Sequence, residues 1–157
     1  MRIVQDFTLD PLNVTAGRET YEERRSRLLR HGEDTGAVVP GVVLEAQIGR
    51  DDGWLLFTTH DIPFEEGLDI TLLDRHFKIV DSAALYWPYA TGDFKNLVLA
   101  SGDKVAFDFF GDHRWTVTLF EKARLRLPLP WIVEPRGVRR KFGFTRHFAI
   151  SALKEAA

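Results

Sequence analysis

Between Val38 and Glu121 short apolar runs alternate with clusters of turn-forming residues. The clusters read Asp51-Asp52-Gly53, Asp74-Arg75-His76, Ser101-Gly102-Asp103 and Gly111-Asp112-His113. Asp bends the chain by bonding to its own backbone, and Gly accepts the positive φ that tight turns require. Connections this short join antiparallel neighbours, whereas parallel strands need crossovers of about a dozen residues or more. The rhythm therefore predicts a mainly β protein, an antiparallel sandwich or barrel of about seven to nine strands.

Individual strands follow from local alternation. Trp54–Thr59 and Leu68–Leu73 are bounded by turn residues, and Phe77–Val80 and Ala83–Trp87 follow, with Pro88 as the stop. The clearest hairpin joins Lys95–Ala100 to Lys104–Phe110, where Val105, Phe107 and Phe109 share one face. Arg114–Phe120 repeats the scheme, and the even spacing of Phe142, Phe144, Phe148 and Ile150 suits one last strand. A short strand is expected near Ile3–Leu9.

Residues 18–32 read differently. Thr20 and Glu23 have capping-box spacing, Glu23 and Arg27 stand one helical turn apart, and Gly32 occupies a C-cap position. These signals predict one N-terminal surface helix with a thin apolar stripe of Tyr21, Leu28 and Leu29.

A chain of 157 residues is expected to form a single domain, with the strand block at 38–121 and a proline-interrupted extension at 124–157 ending in a strand. There is no cysteine, which excludes disulfides, thiolate metal sites and a cysteine nucleophile. The first residues form no uninterrupted apolar segment, and no run approaches the roughly 20 apolar residues of a membrane helix, so a cytoplasmic location is expected and membranes are not expected partners. Charge is uneven: residues 37–123 carry seven basic and fourteen acidic side chains, and residues 124–157 eight basic and two acidic. The basic end is read first as lying against the acidic body of its own chain or of a twin subunit.

Two short segments resemble known signatures. Arg30-His31-Gly32 resembles the Arg-His-Gly signature of histidine phosphatases, but follows the predicted helix and lacks the downstream strand–helix alternation of that fold. His31 is read instead as a cation near a helix C-terminus. Arg140-Lys141-Phe142-Gly143-Phe144 resembles the aromatic core of the RNP1 motif, in which exposed rings stack on bases. Lys141 replaces the first glycine, and too little chain remains for the helix and strand that follow RNP1. The preferred reading is a core-facing terminal strand; Arg140, Lys141, Phe142 and Phe144 remain the candidates for a nucleic-acid accessory role.

Two places carry the remaining chemistry. The loop His60-Asp61-Ile62-Pro63-Phe64-Glu65-Glu66 gathers a histidine and carboxylates, so His60, Asp61 and Glu65 are candidate metal ligands or acid–base groups. Tyr86-Trp87-Pro88-Tyr89 places three aromatics at a broken strand end, where they cannot all face one core. The expected function is a non-enzymatic ligand- or protein-binding β-domain using Tyr86, Trp87, Tyr89 and His60, with no cofactor. A small β-barrel hydrolase or metal-dependent enzyme built on His60, Asp61 and Glu65 is the alternative. Leu127, Leu129, Trp131, Ile132 and Val133, set among prolines, are read in two ways: as the contact of a homo-oligomer through 127–133, or as a cover over the open edge of the chain's own sheet.

Overall fold

The turn rhythm becomes an open stack of antiparallel sheets in the computed structural model, which describes residues 1–12, 24–111, 113–125, 134–141 and 143–154. The strands are β1 (Arg2–Ile3), β2 (Phe7–Pro11), β3 (Arg25–Arg30) and β4 (Glu33–Pro40). The strand block supplies β5 (Val43–Arg50), β6 (Gly53–Thr59), β7 (Leu68–Asp74), β8 (Ile79–Leu85), β9 (Lys95–Ala100), β10 (Lys104–Asp108) and β11 (His113–Leu125). The C-terminal part adds β12 (Val138–Arg139) and β13 (Thr145–Lys154).

They form a six-stranded sheet in the order β1-β5-β6-β7-β8-β12, a four-stranded sheet β13-β11-β10-β9 and a three-stranded sheet β2-β3-β4. These sheets are open, so the architecture is layered rather than a closed barrel. The six-stranded sheet is the middle layer. On one face Ile48, Leu55, Phe57, Ile70 and Leu85 join Val105, Phe107, Val117 and Phe148 of the four-stranded sheet in the larger core. Phe57, Phe94 and Phe107 meet there with ring centroids 5.2–5.3 Å apart. On the other face Leu56 and Leu73 pack against Phe7, Leu28 and Val39 of the three-stranded sheet. Trp54-Leu55-Leu56-Phe57 is therefore an unbroken apolar run because β6 is covered on both faces.

The predicted helix is absent from the described residues. Arg25–Arg30 is instead the central strand of the three-stranded sheet, paired on both sides, and residues 18–23 lie outside the description. Ser26 and Leu28 are buried while Arg25 and Arg27 are exposed, a period of two that the flanking strands enforce over local helical preference. Gly32 does take a positive φ of 87°, but together with His31 at 50° it closes a two-residue hairpin in which Arg30 pairs with Glu33.

The two strands expected at 77–80 and 83–87 are one, β8, running through Asp81 and Ser82. Asp81 is tolerated inside it because its buried carboxylate accepts Ser82 N at 2.8 Å and His147 N at 2.7 Å and meets Arg140 Nη1 at 3.2 Å. The three-stranded sheet covers β6 and the Leu73 end of β7 on this face, and beside it lies a cleft lined by β7, β8 and β12, with Val38 and Pro40 of β4 on its bank.

Candidate functional site

Two cavities flank the six-stranded sheet, one at an open end of the larger core and one on the opposite face. The end cavity has a volume of about 590 Å³ and is walled by Trp87, Ala90, Phe110, Trp115, Pro135 and Ala152, with Arg136 among its lining residues. Its position follows from strand ends: Trp87 lies just beyond β8, Phe110 beyond β10, and Trp115 near the start of β11. Trp115 belongs to the buried core, yet its indole N–H is buried with no hydrogen-bond acceptor among the described residues. Phe110 packs edge-on against it at 6.4 Å.

The aromatic corner is split. Trp87 is 45% exposed at the end cavity, Tyr89 is 91% exposed with a φ of 61°, and Tyr86 is half-buried. The returning chain fixes the corner, since Tyr86 N donates to Gly137 O at 2.8 Å and Ala90 N donates to Trp87 O at 3.2 Å. The Tyr86 ring carries the Arg139 guanidinium at 4.2 Å, and its hydroxyl lies 3.5 Å from Glu65 Oε2.

The cleft on the opposite face has a volume of about 330 Å³. Its floor can be read from register, because cross-strand partners share a face. Asp69 pairs with Ala84, and Ala84 with Arg139; one step along, Thr71 pairs with Ser82. His60, just past β6, places Nε2 at 2.5 Å from Asp69 Oδ2 and is itself fully buried. Thr71 is buried too, and its hydroxyl has no hydrogen-bond partner among the described residues. Arg25 and Lys141 complete the basic lining with Arg139 and Arg140.

The histidine loop is organised by a residue outside the expected set. Glu66 accepts His60 N at 2.7 Å, Ile62 N at 2.9 Å and Gly67 N at 3.2 Å, which ties the loop into a closed bend. Asp61 is exposed at a positive φ of 54°, and Glu65 faces Tyr86. The carboxylate that meets the His60 ring is Asp69, on the neighbouring strand. Among the described residues no group of three or more His, Asp or Glu side chains is placed to share a metal ion. His60 and Trp87 line separate cavities.

Of the residues resembling RNP1, Phe142 lies outside the described set and Phe144 is 72% exposed just before β13. Lys141 is exposed at the cleft. Arg140 is spent internally: besides Asp81, its Nε lies 2.8 Å from Glu134 Oε1, Nη2 donates to Phe148 O at 2.9 Å, and its guanidinium covers the Phe148 ring at 4.3 Å. Burial pushes its pKa below the usual arginine value, against the opposing pull of Glu134 and Asp81. The oligomer contact expected at 127–133 lies outside the described residues.

Sequence reasoning missed Asp69, Thr71, Ser82, Arg25 and Arg139. The signal was present in β7: Asp69 and Thr71 alternate with buried Leu68, Ile70 and Leu72. Polar residues at every second position of an otherwise apolar strand mark one face as something other than core. No protein-family model matches the chain, and comparison with curated proteins and with solved structures finds no match either. No described helix is long and apolar enough to cross a membrane.

Proposed function

We propose that this protein binds a small organic molecule in the end cavity beside Trp87, as a non-enzymatic binding domain. The observation that carries the reading is that Trp115, which lines an apolar cavity, has a buried indole N–H with no acceptor among the described residues. A cavity of about 590 Å³ lies within the range of small-molecule sites, which combine apolar walls with a few fixed polar groups. A buried donor left unpaired costs about 1–3 kcal/mol, which a ligand acceptor relieves on binding. The fitting ligand has a flat apolar body, stacked along Trp87 and Phe110, and one acceptor directed at Trp115. Arg136 on the lining favours a ligand that is also anionic.

The probe of choice is 1-anilinonaphthalene-8-sulfonate, which has an apolar aromatic body and an anionic acceptor group. The expected result is saturable fluorescence enhancement at one site per chain, abolished by Ala90→Trp, which fills the cavity. Trp115→Phe, which keeps the ring but removes the N–H, is expected to weaken binding about tenfold, equivalent to roughly 1.4 kcal/mol. Binding that persists unchanged in both variants, with their folds intact by circular dichroism, overturns the reading.

A further inference from the structure

We infer a second, independent site: the cleft over β7, β8 and β12 binds a small oxyanion, a carboxylate or phosphate, between the Thr71 hydroxyl and the cations Arg25, Arg139 and Lys141. Three observations converge on it, and none involves the end cavity.

The first is the floor. Thr71 is fully buried, yet its hydroxyl has no partner among the described residues, although buried polar groups are almost always satisfied. Its register partner Ser82 also lines the cleft and presents a second hydroxyl. Hydroxyls on a recessed floor donate readily to an oxyanion, and such charge-assisted bonds are stronger than neutral ones.

The second is the charge of the walls. Arg25 comes from β3 on one bank, and Arg139 and Lys141 come from β12 and the residues after it on the other. Among the described lining residues the only carboxylate is Asp69, and it is engaged by His60 at 2.5 Å. The cleft therefore carries an excess of positive charge inside a protein that is net acidic.

The third is preorganisation. Arg139 is stacked 4.2 Å over Tyr86, which fixes the guanidinium plane while leaving its N–H edges available for a planar, bidentate partner. Arg140 anchors the segment between the two liganding cations through Asp81 and Glu134, so Arg139 and Lys141 are held on either side of a fixed point. Arg140 is thus a positioning residue rather than a ligand.

Isothermal titration with inorganic phosphate and, separately, with succinate tests the inference, at low chloride. Saturable binding of at least one of the two at a single site per chain is expected. Arg139→Gln is expected to weaken it at least tenfold, and Thr71→Val, which replaces the hydroxyl with a methyl of the same shape, by a similar factor. Arg75→Gln removes an equal charge from the distant turn after β7 and should leave binding unchanged. Phosphate bound in preference to succinate assigns the phosphoryl class, and the reverse order assigns carboxylates. The inference is overturned if neither anion binds, if chloride competes as well as either, or if Arg75→Gln weakens binding as much as Arg139→Gln.

Discussion

The two faces of the six-stranded sheet come from the same strands and serve opposite ends. Toward the four-stranded sheet, β5 to β8 present Ile48, Leu55, Phe57, Ile70 and Leu85, all buried in one apolar cluster. Toward the three-stranded sheet, the described residues form a smaller apolar cluster of Leu56 on β6 and Leu73 at the end of β7 with Phe7, Leu28 and Val39. Next to that cluster the same face carries Thr58, Asp69, Thr71 and Ser82. Alternate residues of one strand thus write a dry core and a polar floor at the same time. A face that is fully covered must be apolar, whereas a face that is half covered can hold polar groups aimed at something else.

The comparison is broken most directly by truncation on each side. Phe57→Ala removes a fully buried ring from the larger core and is expected to cost about 3–5 kcal/mol in urea unfolding. Leu28→Ala on the other face should cost less, about 2–3 kcal/mol, because its smaller cluster has room to collapse. Equal losses would mean that the half-covered face contributes as much to stability as the sealed one.

Arg140→Met comes next. It strands the Asp81 carboxylate in a buried position, and breaking a buried ion pair typically costs about 3–5 kcal/mol. Asp81 keeps the amides of Ser82 and His147, so about 3 kcal/mol is the expected loss. Adding Asp81→Asn to that variant should recover part of the loss, since the unpaired charge goes with it. An additive double variant would show that the pair does not hold β12 and β13 to β8.

Two threonines on the half-covered face sharpen the contrast further. Thr58 Oγ1 donates to Pro40 O at 2.7 Å, whereas the Thr71 hydroxyl has no partner among the described residues. Thr58→Val should therefore destabilise by about 1 kcal/mol, and Thr71→Val should be neutral or stabilise by up to about 1 kcal/mol in ligand-free protein. Calorimetric midpoints read both. A destabilising Thr71→Val would mean that the hydroxyl serves the fold and not a ligand.

Much of this layout was legible in the sequence because it rests on local chemistry. Asp51-Asp52, Arg75-His76 and Ser101 to Asp103 turn the chain where turn residues predicted, although the strand expected from Phe77 starts at Ile79, and Lys95–Ala100 has the bounds read from its alternation. The failures share a cause. Thr20, Glu23 and Arg27 carry helix-favouring spacings that act over one turn, while the strand at Arg25–Arg30 is dictated by pairing along its length with β2 and, across the His31-Gly32 hairpin, with β4. The expected break between Val80 and Ala83 does not occur because Asp81 finds its partners, Arg140 and His147, about sixty residues further on. The cleft was missed for the same reason: His60 was matched with carboxylates of its own loop, and Asp69 reaches it only through strand pairing. Nearby residues announce turns, but a site assembled across strands is visible only once register is known.

The smallest expected effect lies on the four-stranded sheet, away from both faces compared above. Asp108 on β10 accepts Arg114 Nη1 at 2.7 Å and Asn96 Nδ2 at 2.6 Å, and these bonds, the Arg114 one foremost, hold its carboxyl below the usual carboxylate range. A carboxyl whose pKa is lower folded than unfolded stabilises the protein above the unfolded value, about 3.9, and loses that contribution as pH falls through the folded value. Asp108→Asn should therefore lower the melting midpoint at neutral pH, and the gap to the wild type should close as the pH drops below about 4. The cleft face offers the contrast, because Arg139→Gln alters no such carboxylate bond and should shift the midpoint equally at both ends of the acid range. If the Asp108→Asn gap stays constant from neutral to acid pH, the Arg114 bond acts by geometry alone. The stability of the β9–β10–β11 edge would then owe nothing to that charge.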